Sequence, residues 1–477
     1  MKIEDQVTPF TSDLCFDAEL VEKIVSKMKR GKAAGLDGLT AEHLVNCHPC
    51  LPTLLAKLFN LIIEIGEVPD NFGLSYTVPL LKGNKNTNMS KMLTVNDFRG
   101  ISISPVVSKV FENCVLLKYA TFFRTSDNQF GFKKHSSCSH AIYSVRQAVD
   151  KFTCGSSTVN LCALDLSKAF DKLNHFGLFV KLMNVTVPNA LLEVLENWFS
   201  KSLTCVRFGS AMSVFVYLEC GVRQGGVLSP HLFAIYIDDV INKVKNSKAS
   251  CSKHFVCISI FVYADDIILL SPSVSLLQEL ISIVEETLAF LDMYINAKKS
   301  NSIRFGPRYD VTCTALMLRD GSIIPWVNKC IYLGKLLLCS KFFKCDFENE
   351  KKALYRSFNG IFGKIGRIAS TEVIIQLLKT KCLPALLYGL NACPVNATES
   401  KSFDFAFFRI CAKIFGSFSK EFICECRENF CLSLLSKSIE TAKISFLKCY
   451  AASESTVCSV FATNAINEEN NLKRSLN

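Results

Sequence analysis

No segment of this chain reaches the roughly 18–20 uninterrupted apolar residues that a membrane span requires. The N-terminus, MKIEDQVTPF, lacks the apolar core of a secretory signal. Internal repeats and low-complexity linkers are absent. Finger spacing is missing as well: Cys47-His48-Pro49-Cys50 has no second pair at the right distance, and Cys424, Cys426 and Cys431 have no nearby histidine. These absences argue against a spanning protein, a secreted disulfide scaffold and a zinc finger. The 23 cysteines are instead scattered through apolar runs such as Leu161-Cys162-Ala163 and Cys257-Ile258. They read as reduced core thiols of an intracellular protein, in cytoplasm or nucleus.

With 477 residues, 49% of them hydrophobic, the chain is long enough for two or three domains. A net charge of +11 fits a polyanionic partner such as nucleic acid, although many ordinary proteins share such an excess.

Apolar periodicity predicts helices over 16–30, 51–65, 106–123, 138–152, 169–183, 189–199, 228–244 and 276–294. Short strands are expected at 76–82 and 98–104 around a polar, basic loop, which suggests a mobile hairpin. Further strands fall at 159–165, 302–305 and 332–334, with hairpins at 203–218 and 255–270. Beyond 345 the pattern is helical, at 346–366, 371–389, 400–416 and 432–452, and the polar stretch 453–477 is expected to be disordered. This order describes an α+β fold in which a mixed sheet is backed by helices and followed by a mostly helical C-terminal part.

The most apolar stretch is broken by two acids. Phe261-Val262-Tyr263-Ala264-Asp265-Asp266-Ile267-Ile268 is a strand pattern interrupted by adjacent carboxylates, and burying them unpaired would be costly. They need a solvated turn, a cation or a metal. Neither Gly nor Asn stands there to favour a tight turn. Asp165 ends another apolar strand, where an acid commonly caps a helix. If the two strands are neighbours, the three acids make one oxygen-donor cluster suited to a pair of Mg²⁺ ions and to phosphoryl displacement. A look-alike, Tyr236-Ile237-Asp238-Asp239, has helical spacing (Leu232, Ile235, Tyr236, Val240), which leaves its acids on a solvated helix face.

An ordered series of motifs completes the pattern: Gly35-Leu36-Asp37-Gly38, Phe98-Arg99-Gly100-Ile101-Ser102, Gln129-Phe130-Gly131-Phe132, Ala163-Leu164-Asp165-Leu166-Ser167-Lys168-Ala169-Phe170-Asp171, Gly221-Val222-Arg223-Gln224-Gly225-Gly226-Val227-Leu228-Ser229-Pro230, Tyr263-Ala264-Asp265-Asp266, Asn296-Ala297-Lys298-Lys299-Ser300 and Tyr332-Leu333-Gly334-Lys335. The series resembles the reverse transcriptases of non-LTR (LINE-type) retrotransposons, closely over residues 18–340 and more loosely to about 450. The resemblance implies a right-hand polymerase, with fingers and palm at 18–340, a helical thumb and C-terminal region at 341–452, an N-terminal extension at 1–17 and a tail at 453–477. It implies that Asp165 and Asp265 hold two Mg²⁺ ions (Mn²⁺ substituting), with Asp266 beside them and the carbonyl of Leu166 as a further ligand. It places Phe170 under the deoxyribose, where it would exclude a 2′-OH. Gln224 and Gly225 would touch nucleotide and template, Lys82 and Arg99 would grip the triphosphate, and Lys299 would protonate pyrophosphate, with Lys298 adjacent. Implied partners are an RNA template, a DNA primer or nicked target DNA, and dNTPs, with no membrane.

Gly100 stands where the family often has Pro. An upstream endonuclease and a downstream Cys/His knuckle are both lacking, so a truncated copy is expected. Two alternatives stay open: a catalytically inactive or domesticated copy that only binds nucleic acid, and, ranked lower, a group II intron maturase.

Overall fold

A computed structural model describes residues 15–82, 93–366 and 368–476. The polar loop expected between the first two strands lies almost wholly outside them. The chain divides into two compact units that interleave along the sequence. The first takes residues up to 126, 167–239 and 288–294; the second takes 127–166, 240–287 and 295 onward.

The first unit is built on a mixed sheet. Leu74–Leu81 pairs antiparallel with Phe98–Ile103, Pro79 opposite Gly100, and parallel with Leu203–Phe208. Leu203–Phe208 in turn pairs with the short strands Ala211–Met212 and Val216–Tyr217. Phe16, Phe59, Phe72, Phe111 and Trp198 fill the core, their rings meeting at centroid distances such as 5.1 Å for Phe59–Phe111 and 5.7 Å for Phe111–Trp198. They come from the helices Leu51–Ile65, Val106–Lys118 and Asn189–Ser200 and from short segments beside them. The helix expected over 169–183 is two, Ala169–Lys172 and His175–Asn184. Asn174 breaks it: its side chain accepts from the Gly177 N–H (3.0 Å) and caps a new helix, a competition with the backbone that short polar residues favour.

The second unit carries a four-stranded sheet in the order Asn301–Phe305, Val159–Leu164, Asp266–Ser271, Ile260–Tyr263. The pairings among these four strands are antiparallel, and parallel bridges join the outer strands at Gln129–Val262 and Ser302–Trp326. Its central strands are buried along nearly their whole length, which is why they read as continuous apolar runs rather than alternating ones. Helix Cys138–Cys154 packs on it through Ala141, Ile142, Val145, Ala148 and Val149, spaced three and four apart.

No unit boundary falls at 340. The stretch from 295 onward stays with the acid-bearing sheet, sharing one core; Phe305 stacks on Phe343 at 5.5 Å and the buried Lys335 ammonium pairs with Glu350 at 3.0 Å. The helix expected over 371–389 loosens into a wide turn at Leu378–Cys382 ahead of Pro384, whose ring and missing N–H cannot continue the ladder.

The expectation of a disordered tail is corrected: Thr456–Ser459 and Ala462–Leu476 are helical. Phe461 and Ala465 are fully buried, and Glu468 meets Arg146 (3.1 Å) and Lys443 (2.7 Å). An ion-paired seam with few apolar residues holds this helix, and composition alone hid it. Among the described residues, no helix is long and apolar enough to cross a membrane.

Candidate active site

The second unit brings the three acids to one end of its two inner strands. Strand Asp266–Ser271 runs antiparallel to Val159–Leu164 with Ile267 opposite Leu164, so Asp266 and Asp165 come next in register. Asp265 and Ala264 form the two-residue turn before it, in which Tyr263 faces Asp266. Burial pushes the Asp266 carboxyl up to about 6, helped by the charges of Asp265 and Asp165. Burial, with Asp266 next in effect, also raises the Tyr332 phenol well above its ordinary range; the Tyr332-Leu333-Gly334-Lys335 motif therefore lies close to the acids.

The motif Asn296–Ser300 wraps the backbone of Asp165. The Asn296 N–H donates to the Asp165 carbonyl (2.8 Å), and the Asp165 N–H donates to Ser300 Oγ (3.1 Å). The ammonium of Lys299 stands 3.6 Å from Asp165 Oδ2, an oxygen that is buried and accepts no hydrogen bond. Leu166 is buried and bridges Ile295. Among the described residues, no three His, Cys, Asp or Glu side chains form a ready-made metal-ligand cluster. The donor set nevertheless fits a divalent ion: adjacent hard carboxylate oxygens, one an orphaned buried acceptor.

The first unit assembles a different group. Phe170 stacks on Phe233, centroids 4.5 Å apart and planes within 16°. The Val222 N–H donates to the Phe170 carbonyl (2.8 Å), and Gln224 Nε2 donates to Asp171 Oδ1 (3.1 Å). The loop also reaches the strand bearing Arg99, since the Ser102 N–H donates to the Gln224 carbonyl (2.8 Å). Gly225 is required there: it has φ +134°, and a Cβ would lie 2.4 Å from the Ser102 carbonyl. Arg99 is exposed; Lys82, on the partner strand's end, donates from Nζ to the Asn96 carbonyl (3.1 Å). The look-alike acids are helical as expected but not freely solvated. Asp238 accepts from the Ser126 N–H (2.8 Å), and Asp239 pairs with Lys181.

Sequence reasoning gave three contributors no role: Asp171 and Gln129, which stand inside the motifs, and Glu112, which does not. Glu112, 5% exposed, accepts from the N–H groups of Val227 and Leu228 and so anchors the Gly221–Ser229 loop. Only its burial marks it, since in sequence it looks like any helical glutamate.

The chain thus carries acids on adjacent antiparallel strands, a glycine-rich loop, and the cations Lys82 and Arg99 beside a strand pair. Residues 84–336 match the reverse transcriptase (RNA-dependent DNA polymerase) family, and the chain belongs to it. Its relatives include polymerases of mobile elements. The RNA-directed DNA polymerase from mobile element jockey of Drosophila funebris is 26% identical over 418 residues, covering 83% of this chain and 44% of the relative. The Pol polyprotein from type-2 retrotransposable element R2DM of Drosophila melanogaster is 23% identical over 291 residues, covering 61% and 27%. The chain thus spans less than half the length of either relative. Among solved structures, apo telomerase from Candida tropicalis aligns over 62% of this chain and 60% of its own at 13% identity, with a TM-score of 0.39, too low to bear on the fold.

Proposed function

We propose that this chain is an RNA-directed DNA polymerase that extends a DNA primer on an RNA template, using dNTPs and two Mg²⁺ ions. The carrying observation is the register that sets Asp165 beside the Asp265-Asp266 turn, with the Asp266 carboxyl raised by burial and further by its two neighbours. Asp165, Asp265 and Asp266, with the Leu166 carbonyl, would hold the metal. When bound, such ions stabilise the attacking and leaving oxygens of an in-line displacement.

In that reaction the primer 3′-hydroxyl gives its proton to solvent, its oxygen bonds to the α-phosphorus, the bridge to the β-phosphate breaks, and pyrophosphate leaves. Lys299, exposed and next to Asp165, supplies a proton to the leaving group. Arg99 and Lys82 offset charge on the triphosphate. Phe170, braced by Phe233, excludes a 2′-OH, and Gln224 and Gly225 present loop backbone and amide to the nucleotide and template.

Purified chain with poly(rA)/oligo(dT), Mg²⁺ and dTTP tests the reading. Incorporation that Asp265→Asn abolishes supports it. No incorporation, or incorporation unchanged by Asp265→Asn, overturns it; template binding without incorporation would identify the nucleic-acid-binding alternative.

A further inference from the structure

We propose that Gln129 is a positioning residue that sets the direction of the Asp265 and Asp266 carboxylates by clamping the turn that carries them; the inference rests on the metal-binding role given to those acids above.

The turn needs outside support. Ala264 lies at φ +57°, in the left-handed region that glycine and asparagine favour and alanine does not. Gln129, completely buried, engages both backbone polar groups of that residue. Its Oε1 accepts from the Ala264 N–H (3.0 Å) and the Gly131 N–H (2.9 Å), and its Nε2 donates to the Ala264 carbonyl (3.4 Å).

The rest of the motif delivers that amide. Asn128–Phe130 runs beside strand Ile260–Tyr263, with the Phe130 N–H donating to the Val262 carbonyl and the Val262 N–H to the Asn128 carbonyl, both at 2.8 Å. Asn128 Nδ2 donates to the Cys257 (3.0 Å) and Ile260 (2.7 Å) carbonyls, and Phe130 stacks on Phe261 at 6.3 Å. At Gly131 a Cβ would lie 2.6 Å from the Ala264 nitrogen, so only glycine lets the clamp close. Each residue of Gln129-Phe130-Gly131 therefore bears on the turn, and Ala264 directly precedes Asp265. Two adjacent carboxylates repel one another and a third at Asp165; a turn held in one conformation keeps all of them convergent.

The test uses the full chain and Gln129→Met, which fills a similar volume without hydrogen bonds. Mn²⁺ affinity is read by electron paramagnetic resonance, Ala264 amide exchange by mass spectrometry, and kcat and KM for dTTP on poly(rA)/oligo(dT). We expect faster Ala264 exchange, Mn²⁺ affinity and kcat each lower by ~10-fold or more, and KM for dTTP within ~3-fold of wild type. Adding Ala264→Gly, which accepts the positive φ without a clamp, should restore much of the kcat. Gln129→Met with wild-type Mn²⁺ affinity and kcat overturns the proposal. So does a loss of kcat that follows only the folded fraction. If Gln129→Met does not fold, Gly131→Ala keeps the amide but sets a Cβ against the Ala264 nitrogen, so the clamp cannot close. This variant should exchange faster at Ala264, and unchanged exchange and Mn²⁺ affinity overturn the clamp. A wild-type chain that binds Mn²⁺ but incorporates nothing refutes the polymerase reading and leaves these readouts to decide on Gln129; one that binds no Mn²⁺ overturns both.

Discussion

Phe170 lies flat against Phe233, with ring centroids 4.5 Å apart. Held this way, the Phe170 ring cannot swing aside cheaply, as a sugar-excluding wall requires. Phe170→Ala should therefore admit ribonucleotides, raising the rUTP-to-dTTP incorporation ratio ~10–100-fold, the scale on which pocket contacts discriminate. Phe233→Leu should produce a smaller change in the same direction by loosening the wall. Single-nucleotide extension with each triphosphate measures both, and an unchanged ratio in Phe170→Ala removes this residue from sugar selection.

Asp266 makes the site a source of instability when no cation is bound. Burial and two neighbouring carboxylates raise its carboxyl from 3.8 to about 6. The sign follows from linkage: the stabilising contribution of the protonated form is complete below the ordinary value and is lost as pH rises through about 6. In metal-free buffer at pH 7.5, Asp266→Asn should therefore be more stable than wild type, by on the order of 2 kcal/mol. Its metal affinity should fall. Urea unfolding at pH 5 and 7.5, with and without Mg²⁺, checks this; a variant less stable at both pH values contradicts it.

The carboxylates were legible in sequence because two acids inside an apolar strand contradict their surroundings, and only a special environment resolves the conflict. That Asp165 neighbours them could be stated only conditionally, since strand pairing is a long-range fact, here the register of Ile267 with Leu164. Gln129 stood in a recognised motif, yet its role depends on the sign of one φ angle at Ala264, 135 residues away. The split at Asn174 and the docked C-terminal helix were lost for a related reason. A cap or an ion-paired seam leaves almost no hydrophobic periodicity to read. The interleaving of the two units has no trace in chain order, because compactness follows contacts and not sequence.

Glu112 holds the loop that carries Gln224 and Gly225. Replacing it with Ala leaves the buried Leu228 N–H and the half-buried Val227 N–H without acceptors; a buried orphan costs about 1–3 kcal/mol and a half-buried one less. Glu112→Ala should lower stability by ~2–4 kcal/mol and raise KM for dTTP more than it lowers kcat. Glu112→Gln, which keeps an acceptor oxygen, should recover part of both. Denaturant unfolding with steady-state kinetics separates these effects; a stable Glu112→Ala with unchanged KM shows that the loop does not depend on it.

The C-terminal helix Ala462–Leu476 should be the part of the second unit most sensitive to acid. Burial raises the Glu468 carboxyl, but Arg146 and Lys443 outweigh it and hold the group below its ordinary 4.5. A lowered carboxylate stabilises the fold above its ordinary value, and that contribution is lost as pH falls through the depressed one. Asp150 in the same cluster has the opposite sign, since burial pushes its carboxyl up, and so partly cancels the effect. Glu468→Gln isolates it. The variant leaves the Arg146 and Lys443 side chains, 13% and 11% exposed, without their shared counter-charge. Removing one partner of so buried a pair should cost about 3 kcal/mol at pH 7. Hydrogen exchange over 462–476 should then be fast in the variant at every pH. In wild type it should be slow at pH 7 and accelerate below about 4.5, once corrected for intrinsic rates. Equal protection in the two proteins at pH 7 would show that the buried Phe461 and Ala465 hold the helix without the ion pairs.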